Sequence, residues 1–123
     1  MAMKEPSGQS LARGVYKVTW TPLVLGDWGR PVSLPYYAIK TVQVRGTPGT
    51  STGITIRGRN HSAAAPTFGV GPVLHDLDGA NLSGLTDNEA EGIAEATMQE
   101  IWPEVEGGDG ATSWTVEMVC QGT

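Results

Sequence analysis

Glycine and proline divide this chain into short segments. Its 123 residues include 17 Gly and 8 Pro, and clusters such as GDWGRP, GTPGTSTG and EGGDGA are typical of turns. Between these clusters apolar and polar residues alternate, which is the period-2 pattern of strands with one buried face. The spacing leaves little room for long helices. It predicts one all-β domain, a β-sandwich or jelly roll of short strands.

The alternation also predicts which residues form the core. GVYKVTWTPLVL and TSWTVEMV show it most clearly, with β-branched and aromatic residues on one face of each predicted strand. YYAIKTVQVRG follows the same pattern with one phase slip, which indicates a bulge or a break. The residues expected to face inward are Tyr16, Val18, Trp20, Tyr37, Ile39, Val42, Val44, Ile101, Val105, Trp114, Val116 and Met118.

Two hairpins are predicted from turns that join similar strands. VQVRG and ITIRG flank the first turn, and IWPEVEG and TSWTVEMV flank GDGA. Pro103 in the second hairpin indicates an edge strand or an interrupted one, because proline cannot donate a hydrogen bond to a sheet. A further short strand is predicted over residues 73–75.

One short helix and an N-terminal arm complete the predicted domain. The segment LTDNEAEGIAEATMQEI, residues 85–101, is the only helix candidate, and Thr86 with Glu89 fits a capping box at its start. Residues 1–13 have little apolar content and predict an extended arm that lies on a partner. Residues 14–123 would then form the β-sandwich domain.

Basic and acidic residues occupy different parts of the chain. All eight Lys and Arg residues fall in residues 1–59 beside two acids, a net charge of +6, and residues 60–123 hold eleven acids and no Lys or Arg, a net charge of -11. The two signs can pair inside one domain, or the basic face of one subunit can meet the acidic face of the next. The overall charge of -5 argues against nucleic acid as a partner.

The segment TIRGRNHSAAAPTFGVGPVLHDLDG holds both histidines but lacks the spacing of a metal or catalytic site. His61 and His75 are 14 residues apart, and the single cysteine, Cys120, is remote. Asp76 and Asp78 suggest calcium, but DLDG lacks the glycine and glutamate positions of an EF-hand loop and is more typical of a tight turn. We expect no cofactor, no metal and no enzymatic activity.

Neither a membrane span nor a secretion signal is visible. No stretch approaches about 18 uninterrupted apolar residues, and MAMKEPSGQSLARG lacks an apolar core. We therefore expect no membrane partner.

Three segments, taken in order, resemble a group of small structural proteins of tailed bacteriophages. They are VTWTPLVLGDWGRPVSLPYYAIKTVQVRGTPGTSTGITIRGRN, LHDLDGANLSGLT and PEVEGGDGATSWTVEMV, and the resemblance covers about residues 15–119. The chain departs from the group at Arg59, Asn60 and His61 with the longer loop that follows, and again at residues 99–103. The resemblance implies a virion component, most often a head decoration (cement) protein.

Such proteins are β-sandwich or jelly-roll domains that bind the outer surface of the mature head. The resemblance therefore implies the major capsid protein as partner, a homotrimer, synthesis in the host cytoplasm and a final place on the outer capsid surface. Trp28 and Trp102 lie in or near predicted loops, where aromatic rings often mark interfaces. The residues expected at the partner surface are Lys4, Arg13, Trp28, Arg30, Arg57, Arg59 and Trp102.

Two alternative functions stay open from the sequence. One is another virion role, in the tail or at the head-tail joint. The other is a carbohydrate-binding jelly roll, because exposed aromatic rings also stack on sugars.

Overall fold

The computed structural model describes residues 2–33, 39–49, 52–60, 68–86, 90–95 and 98–122. These residues form an all-β fold of two five-stranded sheets and contain no helix. The strands are β1 (Met3–Lys4), β2 (Ser7–Ala12), β3 (Val15–Val24), β4 (Trp28–Gly29), β5 (Val32–Ser33), β6 (Ile39–Thr47), β7 (Thr52–Arg59), β8 (Ala90–Gly92), β9 (Glu100–Gly107) and β10 (Ser113–Gln121).

The first sheet, sheet B, is antiparallel, and its strands lie in the order β2-β3-β10-β6-β8. Its central strand β10 pairs with β3 and with β6 along nearly its whole length. One face of these strands is buried, and the other face carries threonines and charged residues. This alternation is the one that the sequence predicts.

The second sheet, sheet A, is built around β9. Strand β7 pairs with one side of β9, while β5 and β4 share the other side, and β1 lies parallel to β4. On the shared side, β5 pairs up to Ile101 and β4 pairs at Glu104. Pro103 lies in the gap between them, so the strand β9 itself is continuous and only its pairing on that side is interrupted, where proline has no N–H to donate.

The buried apolar residues of both sheets form one cluster. Its members include the predicted core residues Val18, Trp20, Val42, Val44, Ile101, Val105, Trp114, Val116 and Met118, which confirms those predictions. Tyr16 is half-buried and packs against the same cluster. Ile39 is wrongly predicted, because 54% of its surface is exposed at the start of β6. Tyr37 lies outside the described residues.

Both predicted hairpins are wrong. Strand β6 lies in sheet B and β7 in sheet A, and likewise β9 lies in sheet A and β10 in sheet B. Each turn therefore carries the chain from one sheet to the other. The two turns contact each other, because the Thr112 hydroxyl donates a hydrogen bond to the Pro48 carbonyl at 2.8 Å. Matching alternation identifies the buried face of a strand but not the neighbour with which it pairs.

The predicted helix is not found in the described part of residues 85–101. Ala90–Gly92 instead form β8, which pairs with β6 at the edge of sheet B, and β9 begins at Glu100. Ile93 follows β8 and is buried in the core. Gly92 disfavours a helix interior, and pairing with an open sheet edge satisfies the backbone that a helix would otherwise satisfy.

The segment from residue 72 to 85 covers the outer edge of β7. Its backbone exchanges hydrogen bonds with Ile54 and Ile56, including Leu74 to Ile56 at 2.9 Å and Ile56 to Leu82 at 2.8 Å. Val73 and His75 form isolated bridges, so the strand predicted over 73–75 is reduced to bridges. The β7 edge of sheet A is thereby covered.

The first thirteen residues contribute an edge strand to each sheet. β1 pairs with β4 in sheet A, and β2 pairs with β3 in sheet B with a register shift between Ser10 and Ala12. All six residues of β2 are exposed.

Within the part of the chain that the structure describes, no helix has the length and hydropathy of a membrane span.

Candidate functional site

The outer face of sheet A carries a buried polar cluster. Residues that alternate with the core residues of β9 point away from the core, and they include Trp102 and Glu104. Glu104 pairs with Thr55 of β7 on one side and with Trp28 of β4 on the other. We call Trp28, Arg57, Phe68, Trp102 and Glu104 the Glu104 cluster.

The Glu104 carboxylate is only 1% exposed and receives three hydrogen bonds. The Arg57 side chain donates through Nε to Oε1 at 2.7 Å. The backbone N–H of Gly69 donates to Oε2 at 2.8 Å, and Trp102 Nε1 donates to the same oxygen at 3.1 Å. Charge-assisted bonds of this kind are stronger than neutral ones, and here they offset the cost of burying a carboxylate.

These contacts hold the loop after residue 67 on the sheet. Arg57 also donates to the Gly71 carbonyl at 2.6 Å, and the Phe68 ring lies 5.5 Å from the Trp28 ring. Gly71 has a φ of 130°, and a Cβ there would come within 2.9 Å of the Trp102 ring. Glycine at this position therefore lets the loop lie directly on the indole.

A second ion pair borders the cluster. Arg59 donates to Glu100 at 2.9 Å, and its guanidinium lies 5.7 Å from the centroid of the Trp102 ring, within cation–π distance. Trp102 is therefore enclosed between Gly71 and Arg59, and only 1% of its surface is exposed. Its ring surface is occupied inside this chain.

A cavity of about 340 Å³ adjoins the cluster. Its lining includes Leu25, Phe68, Arg57 and the β9 residues Glu104 and Glu106. Both oxygens of Glu104 are already engaged by groups of this chain, so the carboxylate holds the loop and is poorly placed to act as an acid or base. The hydrogen bonds to Glu104 therefore fix a surface loop to the outer face of sheet A.

The remaining predicted partner residues lie at the first strands. Lys4 lies 3.5 Å from the buried carboxylate of Asp27, which also accepts hydrogen bonds from the backbone of Ala2 and Val24. Arg30 pairs with Glu5 at 3.1 Å, and both side chains are more than half exposed. The structure thus groups Lys4 and Arg30 beside β1 and β4.

Arg13 lies apart from all of these, just beyond the end of β2. The predicted residues therefore form three groups: the cluster with Arg59, the pair at β1 and β4, and Arg13 alone. Whether any of them binds a partner stays a prediction.

Four of the basic residues in residues 1–59 form ion pairs with acids of the second half. On the outer face of sheet B, Glu117 lies between Lys17 at 3.5 Å and Arg45 at 2.6 Å. On sheet A, Arg57 and Arg59 of β7 meet Glu104 and Glu100 of β9. Basic strands from the first half thus pair beside acidic strands from the second, which is the intramolecular alternative.

His75 and Glu95 form a separate pair. His75 Nδ1 lies 2.6 Å from Glu95 Oε2, and the His75 backbone N–H donates to Oε1 at 2.8 Å. Asp76 instead accepts backbone hydrogen bonds from Asp78 and Ala80, as in a tight turn. Among the described residues no group of three potential ligands could hold a metal ion, and His61 lies outside them.

We expect the stability of the protein to fall in acid through Glu95. Burial alone would raise the pKa of this carboxyl, but the hydrogen bonds from His75 outweigh it and hold the pKa below its ordinary value of 4.5. A lowered folded-state pKa adds stability above 4.5 that is lost as pH falls through the folded value.

Urea denaturation of the wild type and of Glu95→Gln over a pH series measures this effect. The wild type should be the more stable near neutral pH, and the two should converge in acid. A difference that does not change with pH would contradict the assignment.

Cys120 is buried opposite Lys40 in the register of β10 and β6. Burial raises the pKa of the Cys120 thiol to about 11, and burial lowers the pKa of Lys40. The thiol is therefore protonated at neutral pH and packs as a small apolar group.

Sequence reasoning missed the acidic partners that organise these sites, namely Asp27, Glu100 and Glu104. A signal was present, since Arg57 and Arg59 are spaced two apart on one strand, and carboxylates on a facing strand would match them. The sequence pattern predicts Glu100 in a helix and Glu104 in a hairpin with β10. The wrong strand partners concealed both pairs.

With the fold established as two five-stranded sheets around one core, the chain can be compared with known structures. The chain is similar to the SPBc2 prophage-derived protein YomS, with a TM-score of 0.60 and 16% identity over 91% of this chain and 98% of that one. IMPa from Pseudomonas aeruginosa, solved with an O-glycopeptide, gives a TM-score of 0.45 and 9% identity, and the match spans 13% of that chain. No protein-family model and no curated protein matches the sequence.

Proposed function

We propose that this protein is a structural component of a tailed-phage virion, of the head decoration type. It binds the outer surface of the mature head and stabilises contacts between major capsid subunits. The observation that carries the proposal is the similarity to a prophage-derived protein over nearly the full length of both chains. The resemblance of three sequence segments to phage decoration proteins points the same way.

The construction of the domain suits a mechanical role. The Glu104 cluster fixes a loop by buried hydrogen bonds, and the first residues lie as edge strands on both sheets. A rigid scaffold loses little conformational entropy when it binds, so more of the interface energy stabilises the capsid. Surface buried across two capsid subunits raises the free energy needed to separate them.

Within this proposal the fold is a jelly roll and the protein binds as a homotrimer. Lys4 and Arg30 face the capsid, because they lie together beside β1 and β4 and are partly exposed. The protein is made in the host cytoplasm and acts on the outer capsid surface. It needs no cofactor and performs no catalysis.

Binding to purified heads that lack their decoration protein tests the proposal. The protein should co-sediment with mature heads up to a fixed stoichiometry and raise the temperature at which they release DNA. Arg30→Ala should weaken this binding about tenfold, as loss of an interfacial arginine does. Arg45→Ala is the matched control, because its side chain is 57% exposed and ion-paired, against 56% for Arg30.

Two results would contradict the decoration role. If no protein binds to the heads at saturating concentration, the decoration role is contradicted. If the protein binds to tails instead, it has another virion role. Quenching of tryptophan fluorescence by glycans, with no binding to heads, would favour the carbohydrate alternative.

A further inference from the structure

One edge of sheet B presents an apolar side chain near Arg13, a cation with no ion-pair partner among the described residues. Leu11 is the extra residue at the register shift of β2, and 48% of its surface is exposed. Two residues later comes Arg13. No described residue lies within ion-pair or hydrogen-bond distance of its guanidinium, whereas Lys4, Lys17 and Arg30 all have acidic partners.

The opposite edge of sheet B presents a groove of about 300 Å³. Its lining includes the apolar residues Ile39, Leu77, Ile93 and Ala94 and also Lys40, which is buried with 2% of its surface exposed. Leu77 is 76% exposed and Ile39 is 54% exposed, the largest values for bulky aliphatic side chains near this edge. A Cβ on Gly92 would come within 2.9 Å of Leu77 Cδ1, so glycine there lets Leu77 lie on β8. Exposed apolar residues that lie together mark a contact surface more often than residues scattered singly do.

The acidic border of the groove consists of two residues that neighbour Leu77 in the chain. Asp76 and Asp78 flank Leu77 in the chain, and Asp76 fixes the turn by accepting from the N–H of Asp78 at 2.9 Å. The described residues place no lysine or arginine within ion-pair distance of either carboxylate. An apolar groove with an acidic border matches an apolar side chain followed by a cation.

The two surfaces lie at the same level of the sheet. Ala12 pairs with Val15, Val15 with Gln121 and Gln121 with Ile39, so one row of residues joins β2 to the groove across four strands. When complementary patches lie at equal height on opposite sides of a subunit, successive copies are related by rotation without translation, and a ring closes where that rotation is a whole fraction of a turn. Patches at unequal height would give an open helix instead.

We propose that a second copy of this chain occupies the groove, head to tail. Leu11 of one subunit packs between Leu77 and Ile39 of the next, and Arg13 pairs with Asp78. Repetition of this contact closes a ring with sheet B edges facing each other. The inference rests on the self-association named in the proposed function and specifies its interface.

Sedimentation velocity of the purified protein and four variants tests the contact. The wild type should sediment as a closed ring. Leu77→Ser and Arg13→Glu should each weaken association about tenfold or more, whereas Arg13→Glu combined with Asp78→Arg should restore it because the pair is reversed in sign. Val70→Ser is the matched control, since Val70 is 62% exposed and lies outside both surfaces, and it should leave the ring intact.

A wild type that is monomeric at every attainable concentration would overturn this inference. So would single variants that associate normally, or a double variant that stays dissociated. Head binding separates the two proposals. If the protein is monomeric but still coats heads, the ring is contradicted and the decoration role is supported. If it forms a ring but leaves heads bare, the contact is supported and the decoration role is contradicted.

Discussion

Glu104→Ala is expected to destabilise the protein by about 3–5 kcal/mol, the usual cost of removing one partner from a buried ion pair. Arg57 would keep its charge in a site where its side chain is 16% exposed. The N–H groups of Gly69 and Trp102 would also lose their shared acceptor. Urea denaturation measures the loss, and faster hydrogen exchange at Gly69 would show that the loop has opened.

Glu106→Ala is the matched control for this change. Glu106 is two residues further along β9, on the same face, and it is exposed. Its loss should alter the free energy of unfolding by no more than about 0.5 kcal/mol. The combined variant Arg57→Leu with Glu104→Leu should recover part of the loss, because no charge is then left buried alone. Equal effects of the two alanine variants would contradict the role of Glu104.

Trp20→Ala is expected to cost about 3–5 kcal/mol, since it removes one of the largest buried side chains. Trp20 is 1% exposed, and its Nε1 donates to the Arg30 carbonyl at 3.0 Å. A Cβ on Gly29 would come within 2.5 Å of its indole, so the ring fills the space against β4. Truncation would leave a cavity between the sheets that rigid strands close only in part.

Thermal and urea unfolding measure that loss. Val24→Ala is a suitable control, because Val24 ends the same strand with 38% of its surface exposed, and it should cost under about 1 kcal/mol. Trp20→Phe should fall between the two. A Trp20→Ala protein as stable as the control would show that the indole does not support the core.

The buried faces of the strands could be predicted from sequence, because a side-chain period of two is a local property. Trp20 in β3 and Trp114 in β10 were assigned correctly for this reason. The predicted pairing of β6 with β7 and of β9 with β10 is wrong, because a turn between similar strands can join neighbours in one sheet or cross between sheets. That choice depends on how the whole core packs.

The site was harder to predict than the core. Arg57, Arg59 and Trp102 are among the predicted partner residues. The carboxylates that bind the two arginines, however, are predicted in a hairpin with β10 and in a helix. Glu104 alternates with core residues and therefore looks solvent-exposed on pattern alone. It is buried because the loop containing Phe68 lies over that face, and loop position is not encoded in strand periodicity.

The short strand β8 shows a tertiary contact overriding a local signal. Thr86 and Glu89 have the spacing of a capping box, yet Ala90–Gly92 extend along β6. A cap stabilises a helix by about 1 kcal/mol. Burial of Ile93 in the core can exceed that amount, since a fully buried isoleucine contributes about 1.5–3 kcal/mol.

The proposed place of the protein on the outside of a phage head can be tested by locating it on virions. Cryo-electron microscopy of intact particles should show this domain repeated at regular positions over the outer capsid surface. Density confined to the tail or to the head-tail joint, or absence of the protein from purified particles, would contradict the claim.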